Sequence, residues 1–160
     1  MMTLPQGFSP EERAEKAMAL FRQGFNCTQS VILAFADVLE ASGMASEQLL
    51  KIIGSGFGGG MGRMREVCGA FSGCTMMAGF ISPADVPADM EARKANYAIV
   101  QEFAERFRQV NGGSIVCREL LGLGKAAAPE SPAPSARTAE YYRKRPCPQI
   151  IGNAARIVAE

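Results

Sequence analysis

Val67-Cys68-Gly69-Ala70-Phe71-Ser72-Gly73-Cys74-Thr75-Met76-Met77-Ala78-Gly79-Phe80 is the stretch on which the fold turns. It is uncharged, and so are Ile81 and Ser82 after it. The run falls short of the roughly 20 apolar residues that a membrane span requires. It also lacks the valine and isoleucine alternation of a half-buried strand. Its small residues, Gly69, Ala70, Gly73, Ala78 and Gly79, let a neighbouring backbone come close. The stretch therefore predicts a buried core helix, packed against others on several sides.

Upstream lies Gly54-Ser55-Gly56-Phe57-Gly58-Gly59-Gly60-Met61-Gly62, which predicts a loop. Gly54-x-Gly56-x-x-Gly59 has the spacing of a dinucleotide fingerprint, but that motif needs a strand before it and a helix after it. The pattern before it is helical, from Ser46 through Leu49, Leu50, Ile52 and Ile53. The loop reads as a place where backbones cross closely, with a backbone anion nest near Arg63 and Arg65 as a lesser reading.

Further out, Ser9-Pro10-Glu11-Glu12 places a capping serine, a first-turn proline and a glutamate at a helix start that Gly24 closes. Asn26 with Gln29 caps a second helix, predicted to run unbroken through Val31, Ile32, Ala34, Phe35, Val38 and Leu39. The longest helix is expected from Asp89 to Val110, with Ala92, Ala95, Ile99, Phe103, Phe107 and Val110 on its apolar face. Ser114 should cap a short helix through Leu121, and a last helix starts at Pro148 and carries Ile150, Ile151, Ala154, Ile157 and Val158. Between these two, Gly122 to Arg137 is rich in alanine and proline and predicts a flexible surface linker at 122–137. Arg143-Lys144-Arg145 reads as a solvated basic turn. The whole predicts an all-α, compact bundle of about six to seven helices around a central glycine-rich loop, one domain over 1–160.

Composition narrows the chemistry. With 17 basic and 16 acidic residues the net charge is +1, so there is no electrostatic footprint for nucleic acid. Charged residues from Glu11 to Lys16 stand where a signal peptide needs its apolar segment, which predicts a cytoplasmic protein without membrane insertion. There are no histidines, which removes the residue most often used as general base or zinc ligand. Ser-His-Asp and Cys-His catalysis are excluded within one chain. Nine methionines, Met76 and Met77 among them, read as pliable core filler.

Five cysteines remain. Cys27 follows the capping Asn26, Cys68 opens the helix after the glycine loop, Cys117 lies three residues beyond Ser114, and Cys147 directly precedes Pro148. All four thus fall at helix starts, where partial positive charge and free N–H donors favour thiolate over thiol. Cys74 lies mid-helix, about 120° around from Cys68 at 100° per residue, and reads as a small buried hydrophobe. No spacing is C-x-x-C, so any meeting of the cysteines depends on the fold.

Asn26-Cys27-Thr28-Gln29-Ser30-Val31, the run Gly56 to Gly62, Cys68-Gly69-Ala70-Phe71-Ser72-Gly73, Cys117-Arg118-Glu119-Leu120 and Cys147-Pro148 together resemble the bacterial C_GCAxxG_C_C family of redox-active proteins. The resemblance covers the chain from about Glu12 onward and implies that its four recurring cysteines are Cys27, Cys68, Cys117 and Cys147. It implies a redox role, and association with transporter genes, but no substrate.

The leading expectation is thiol–disulfide exchange with a redox partner protein, or a transporter-associated one, as a thiol-disulfide oxidoreductase. Cys27 and Cys68 are the expected working pair, with Arg63 and Arg65 adding positive charge, and Cys117 and Cys147 resolving or relaying. The alternative is a metal module in which the same four thiolates, Cys27, Cys68, Cys117 and Cys147, hold an iron–sulfur cluster or Zn²⁺. A third reading is a non-catalytic accessory or assembly protein.

Overall fold

In the computed structural model, which describes residues 9–123 and 130–160, the chain is all helical. Ser9 caps α1 (Pro10–Arg22) by accepting from the Glu12 amide, and Gly24 leaves it with a left-handed φ of 112°. Asn26 and Gln29 form the reciprocal capping box that opens α2 (Cys27–Leu33). α3 (Ala36–Ala41) and α4 (Glu47–Ile53) follow, and Ser46 caps α4 at the Leu49 amide. A single turn, α5 (Gly58–Met61), lies within the glycine run, where Gly59 and Gly60 are left-handed. α6 (Gly69–Ile81), α7 (Met90–Val110), α8 (Cys117–Leu120), α9 (Ala139–Lys144) and α10 (Cys147–Ala159) complete the order.

The predicted second helix is two. Phe35 leaves helical geometry at φ −114° and ψ 12°, and the guanidinium of Arg13 takes the carbonyl of Ala34 at 2.9 Å. A carbonyl held from the side is lost to the helical ladder. The chain turns there and restarts as α3.

The stretch from Cys68 to Ala78 packs as expected, whereas Gly79, also expected to admit a neighbour, is exposed with nothing within 4 Å of where a Cβ would stand. In α6, Ala70, Cys74, Met77 and Ala78 are fully buried, and Phe71 meets Phe107 of α7 with ring centroids 5.5 Å apart. α2 and α6 touch almost backbone to backbone. A Cβ on Gly73 would stand 2.8 Å from Cβ of Val31, and one on Gly69 would stand 2.9 Å from Cβ of Cys27. The Thr28 hydroxyl donates to the Gly69 carbonyl at 2.6 Å across the same seam. α10 lies along α1, with Gly152 against Met18 and Arg156 forked onto Glu11. Ile150, Ile151, Ala154, Ile157 and Val158 are all buried there.

Other expectations needed correction. On α7 only Phe103, Ala104 and Phe107 are buried, and Val110 is exposed. Ile99 packs partly buried against the core, and Ala95 is exposed, so the predicted apolar face covers the core from Ile99 to Phe107 and is open beyond. α8 begins at Cys117 with Val116 as its cap residue, and Ser114 instead accepts from the Val116 amide two residues earlier. The predicted basic turn is the end of a helix, α9, capped by Thr138 at the Tyr141 amide.

Of the expected linker, residues 124–129 lie outside the described residues. Its later part carries no helix and lies against the glycine turn: Arg63 donates to the Ser131 carbonyl at 2.9 Å and to the Ser135 hydroxyl at 3.1 Å. Arg137 reaches the Phe21 and Phe25 carbonyls at the end of α1 and lies 4.1 Å over the Phe21 ring. Among the described residues no helix is long and apolar enough to cross a membrane.

Candidate functional site: a cavity lined by four cysteines

Each cysteine at a helix start is fixed by its own local device. Asn26 not only caps α2 but donates through Nδ2 to the Gly54 and Ser55 carbonyls, while Gln29 Nε2 donates to the Lys51 carbonyl at 2.8 Å. The end of α4 is thereby tied to the start of α2, and Cys27 is held against the backbone of Gly69. This explains the motif Cys68-Gly69-Ala70-Phe71-Ser72-Gly73. Its two glycines, one helical turn apart, bring α6 close enough to α2 for Cys68 and Cys27 to face one space.

Cys68 and Cys117 are joined through their backbones. An antiparallel bridge pairs Val67 with Val116. The Cys68 amide donates to the Ile115 carbonyl at 2.8 Å, and the Cys117 amide donates to the Glu66 carbonyl at 2.6 Å. Gly60 makes room for Cys117: a Cβ at Gly60, whose φ is +70°, would meet Cβ of Cys117 at 2.7 Å and Cα of Arg65 at 2.8 Å. Cys147 comes in from the first turn of α10.

Cys27, Cys68, Cys117 and Cys147 line one cavity of about 460 Å³. Arg63, Arg65, Arg137 and Arg145 line it too. Cys74 does not. It is fully buried and its thiol points at the Ala154 carbonyl at 3.6 Å.

The thiols do not behave alike. Cys27 and Cys147 act on each other most strongly: the Cys147 thiol pushes the Cys27 thiol well above its usual range, with burial adding to the rise. The same interaction, aided by the Arg145 and Arg65 guanidiniums against the cost of burial, lowers Cys147 to about 7. Cys68 is 7 % exposed, and burial pushes it up to about 12 although the Phe71 and Ala70 amides of its own helix start favour its thiolate. Burial also raises Cys117, against a hydrogen bond from Arg65 at 3.7 Å. The helix start alone does not set the ionisation of these thiols. Desolvation outweighs it at Cys68 and Cys117, the Cys147 thiol outweighs it at Cys27, and one thiolate is favoured.

Of the other cavity thiols, Cys147 influences Cys27 most, and Cys68, its expected working partner, influences it less. Four thiols match the ligand number of an iron–sulfur cluster or a structural Zn²⁺. Yet among the described residues no three cysteine, aspartate or glutamate side chains are grouped as one metal ion requires. The Cys117 sulfur faces a guanidinium and the Cys147 sulfur another thiol. As the side chains stand, the set does not fit a closed metal cage.

The described helices thus gather four cysteines and four arginines around one cavity. Residues 25–160 match the family model described as "Putative redox-active protein (C_GCAxxG_C_C)". The chain belongs to that family, as its motifs led us to expect. Neither a curated protein nor a solved structure matched it.

Sequence reasoning missed Arg145 and Tyr141, whose ring carries the Arg145 guanidinium 5.4 Å from its centroid beside Cys147. The signal was present in Thr138-x-x-Tyr141, a capping threonine three residues before an aromatic.

Proposed function

We propose that the chain is a thiol–disulfide redox protein in which Cys147 is the attacking thiolate and Cys27 the resolving thiol. The observation that carries this reading is that the two line one cavity and drive each other's thiols in opposite directions. A thiol near 7 is about half ionised at neutral pH and still strongly nucleophilic, the optimum for an attacking sulfur. Its partner stays protonated until it is needed, then loses its proton as it attacks. Cys68 and Cys117, clamped side by side, form a second and deeper dithiol to which the disulfide can pass by exchange. The family's description as redox-active agrees with this reading.

Peptide mapping after mild oxidation of the reduced protein tests it. A Cys27–Cys147 disulfide is expected as the first product in the wild type, in Cys68→Ser and in Cys117→Ser. A first disulfide elsewhere, or stoichiometric iron or zinc that blocks oxidation in anaerobically purified protein, would sink it.

A further inference from the structure

Arg65 is held at some cost. Its φ of 61° is left-handed, a region in which a side chain is strained, and its side chain is only 8 % exposed. From this position it reaches two ways. Nη1 donates to Cys117 Sγ, while Nε and Nη2 fork onto the carboxylate of Glu130 at 2.5 and 3.0 Å. Arg63, also left-handed at 66°, adds a bond to the same carboxylate at 3.2 Å. Two guanidiniums beside the thiol cavity thus enclose one carboxylate in bidentate geometry, the arrangement in which arginine recognises anions best.

The carboxylate they hold comes from a segment without helix, and its side chain is 31 % exposed, against 20 % for Arg63 and 8 % for Arg65. Glu130 is the most exposed of the three and so the easiest to displace. The cavity they border is positive. No aspartate or glutamate lines it among the described residues, whereas four arginines do. Of these, Arg137 is engaged with the end of α1 and Arg145 supports Cys147. Arg63 and Arg65 hold the Glu130 carboxylate, which does not itself line the cavity, so an anion entering the cavity competes with that carboxylate for them. The volume, about 460 Å³, is in the range of small-molecule sites, which run from roughly 300 to 1,000 Å³.

We propose that Arg65 and Arg63 form an anion subsite of the cysteine cavity, that Glu130 occupies it as an internal stand-in, and that the substrate is a small disulfide bearing a carboxylate. This rests on the thiol-exchange reading above and names its substrate class. The Cys147 thiolate attacks one substrate sulfur, forming a mixed disulfide and expelling the other half as a thiolate, which takes a proton from solvent. Cys27 then attacks the Cys147 sulfur of the mixed disulfide. The Cys27–Cys147 disulfide closes, and the second half leaves with the proton that Cys27 gives up. Two electrons pass from the protein dithiol to the substrate disulfide, yielding two small thiols.

The test uses the reduced full chain and three probe disulfides of similar size: dithiodiglycolate, with a carboxylate on each half, uncharged 2-hydroxyethyl disulfide, and cationic cystamine. Rates of Cys27–Cys147 disulfide formation are read by alkylation quench and mass spectrometry, each divided by the same probe's rate with N-acetylcysteine. Glu130→Gln, its folding checked by circular dichroism, is expected to favour dithiodiglycolate over the uncharged probe by roughly tenfold, the effect of one charge-assisted hydrogen bond. It should also accelerate that probe several-fold more than it accelerates the other two. Equal normalised rates, a preference for cystamine, or one common acceleration of all three probes in Glu130→Gln would overturn the anion subsite and leave thiol exchange standing. Failure of the uncharged probe to form the Cys27–Cys147 disulfide would overturn both.

Discussion

The place where a Cβ on Gly69 would stand lies 2.9 Å from Cβ of Cys27 and 3.1 Å from the Phe57 carbonyl oxygen. Neither neighbour is the end of a flexible side chain, so Gly69→Ala must push α6 away from α2. We expect a loss of about 1–3 kcal/mol, the usual cost of overpacking a close seam. Cys27 should move off Cys147 at the same time. Urea unfolding would measure the first effect and iodoacetamide reactivity the second. An alanine variant as stable as wild type, with the same thiol profile, would show that the seam is not what positions Cys27.

Alkylation of native reduced protein should reveal one thiol with a midpoint of about 7, and mass spectrometry should locate it at Cys147. Cys27→Ala removes the largest cause of that lowering and should move the midpoint upward toward the ordinary cysteine value of about 8.5. Arg145→Gln should move it in the same direction by less. A midpoint unchanged in Cys27→Ala would mean that the neighbouring Cys27 thiol does not set the reactivity.

Stability should depend on pH in two opposed ways. Cys147 is lowered in the fold, so its contribution is present above the unfolded value and lost as pH falls through about 7. The Cys68 thiol is raised to about 12, and Cys27 and Cys74 are raised as well, chiefly by the Cys147 thiol and by burial respectively. Their contributions are present below the unfolded value and are lost as pH climbs above it. Denaturant unfolding of reduced protein should therefore show stability rising between about pH 7 and 8.5, then falling, with each thiol contributing a slope of at most about 1.4 kcal/mol per pH unit. Cys147→Ser should abolish the rise and keep the fall. A flat profile from pH 9 to 11 would contradict the burial of Cys68 and Cys74.

Cys74→Ala should leave disulfide cycling intact and cost about 1 kcal/mol, because Cys74 packs in the core away from the cavity. Cys27→Ser and Cys147→Ser should each abolish cycling while helical circular dichroism stays near wild type. A Cys74 variant as inactive as these would bring it into the working set.

The helix starts were legible because capping is local: Ser9, Asn26, Ser46 and Asp89 each accept from the amide three residues on. The break at Ala34 was not, since it depends on Arg13 reaching over from α1. The same division runs through the site. The four cysteine positions could be read from helix starts and from the family motifs, but not their ionisation. Helix-start charge is visible in sequence, whereas burial depends on what packs over each sulfur, and burial won at Cys68 and Cys117. The strong mutual influence of Cys27 and Cys147 was hidden for a related reason. It follows from α10 lying along α1, and nothing local to either cysteine announces the other.

That packing of α10 on α1 sets an order in time. Cys27 leaves the ribosome early, on a chain that cannot yet present Cys147 to it, and until α10 docks it is an unremarkable thiol on an exposed helix start. The pair proposed here comes into being only once α10 has been made and has docked. Oxidation before then cannot close it, and the appearance of a fast-reacting Cys147 would report the docking of α10 more directly than helix content does.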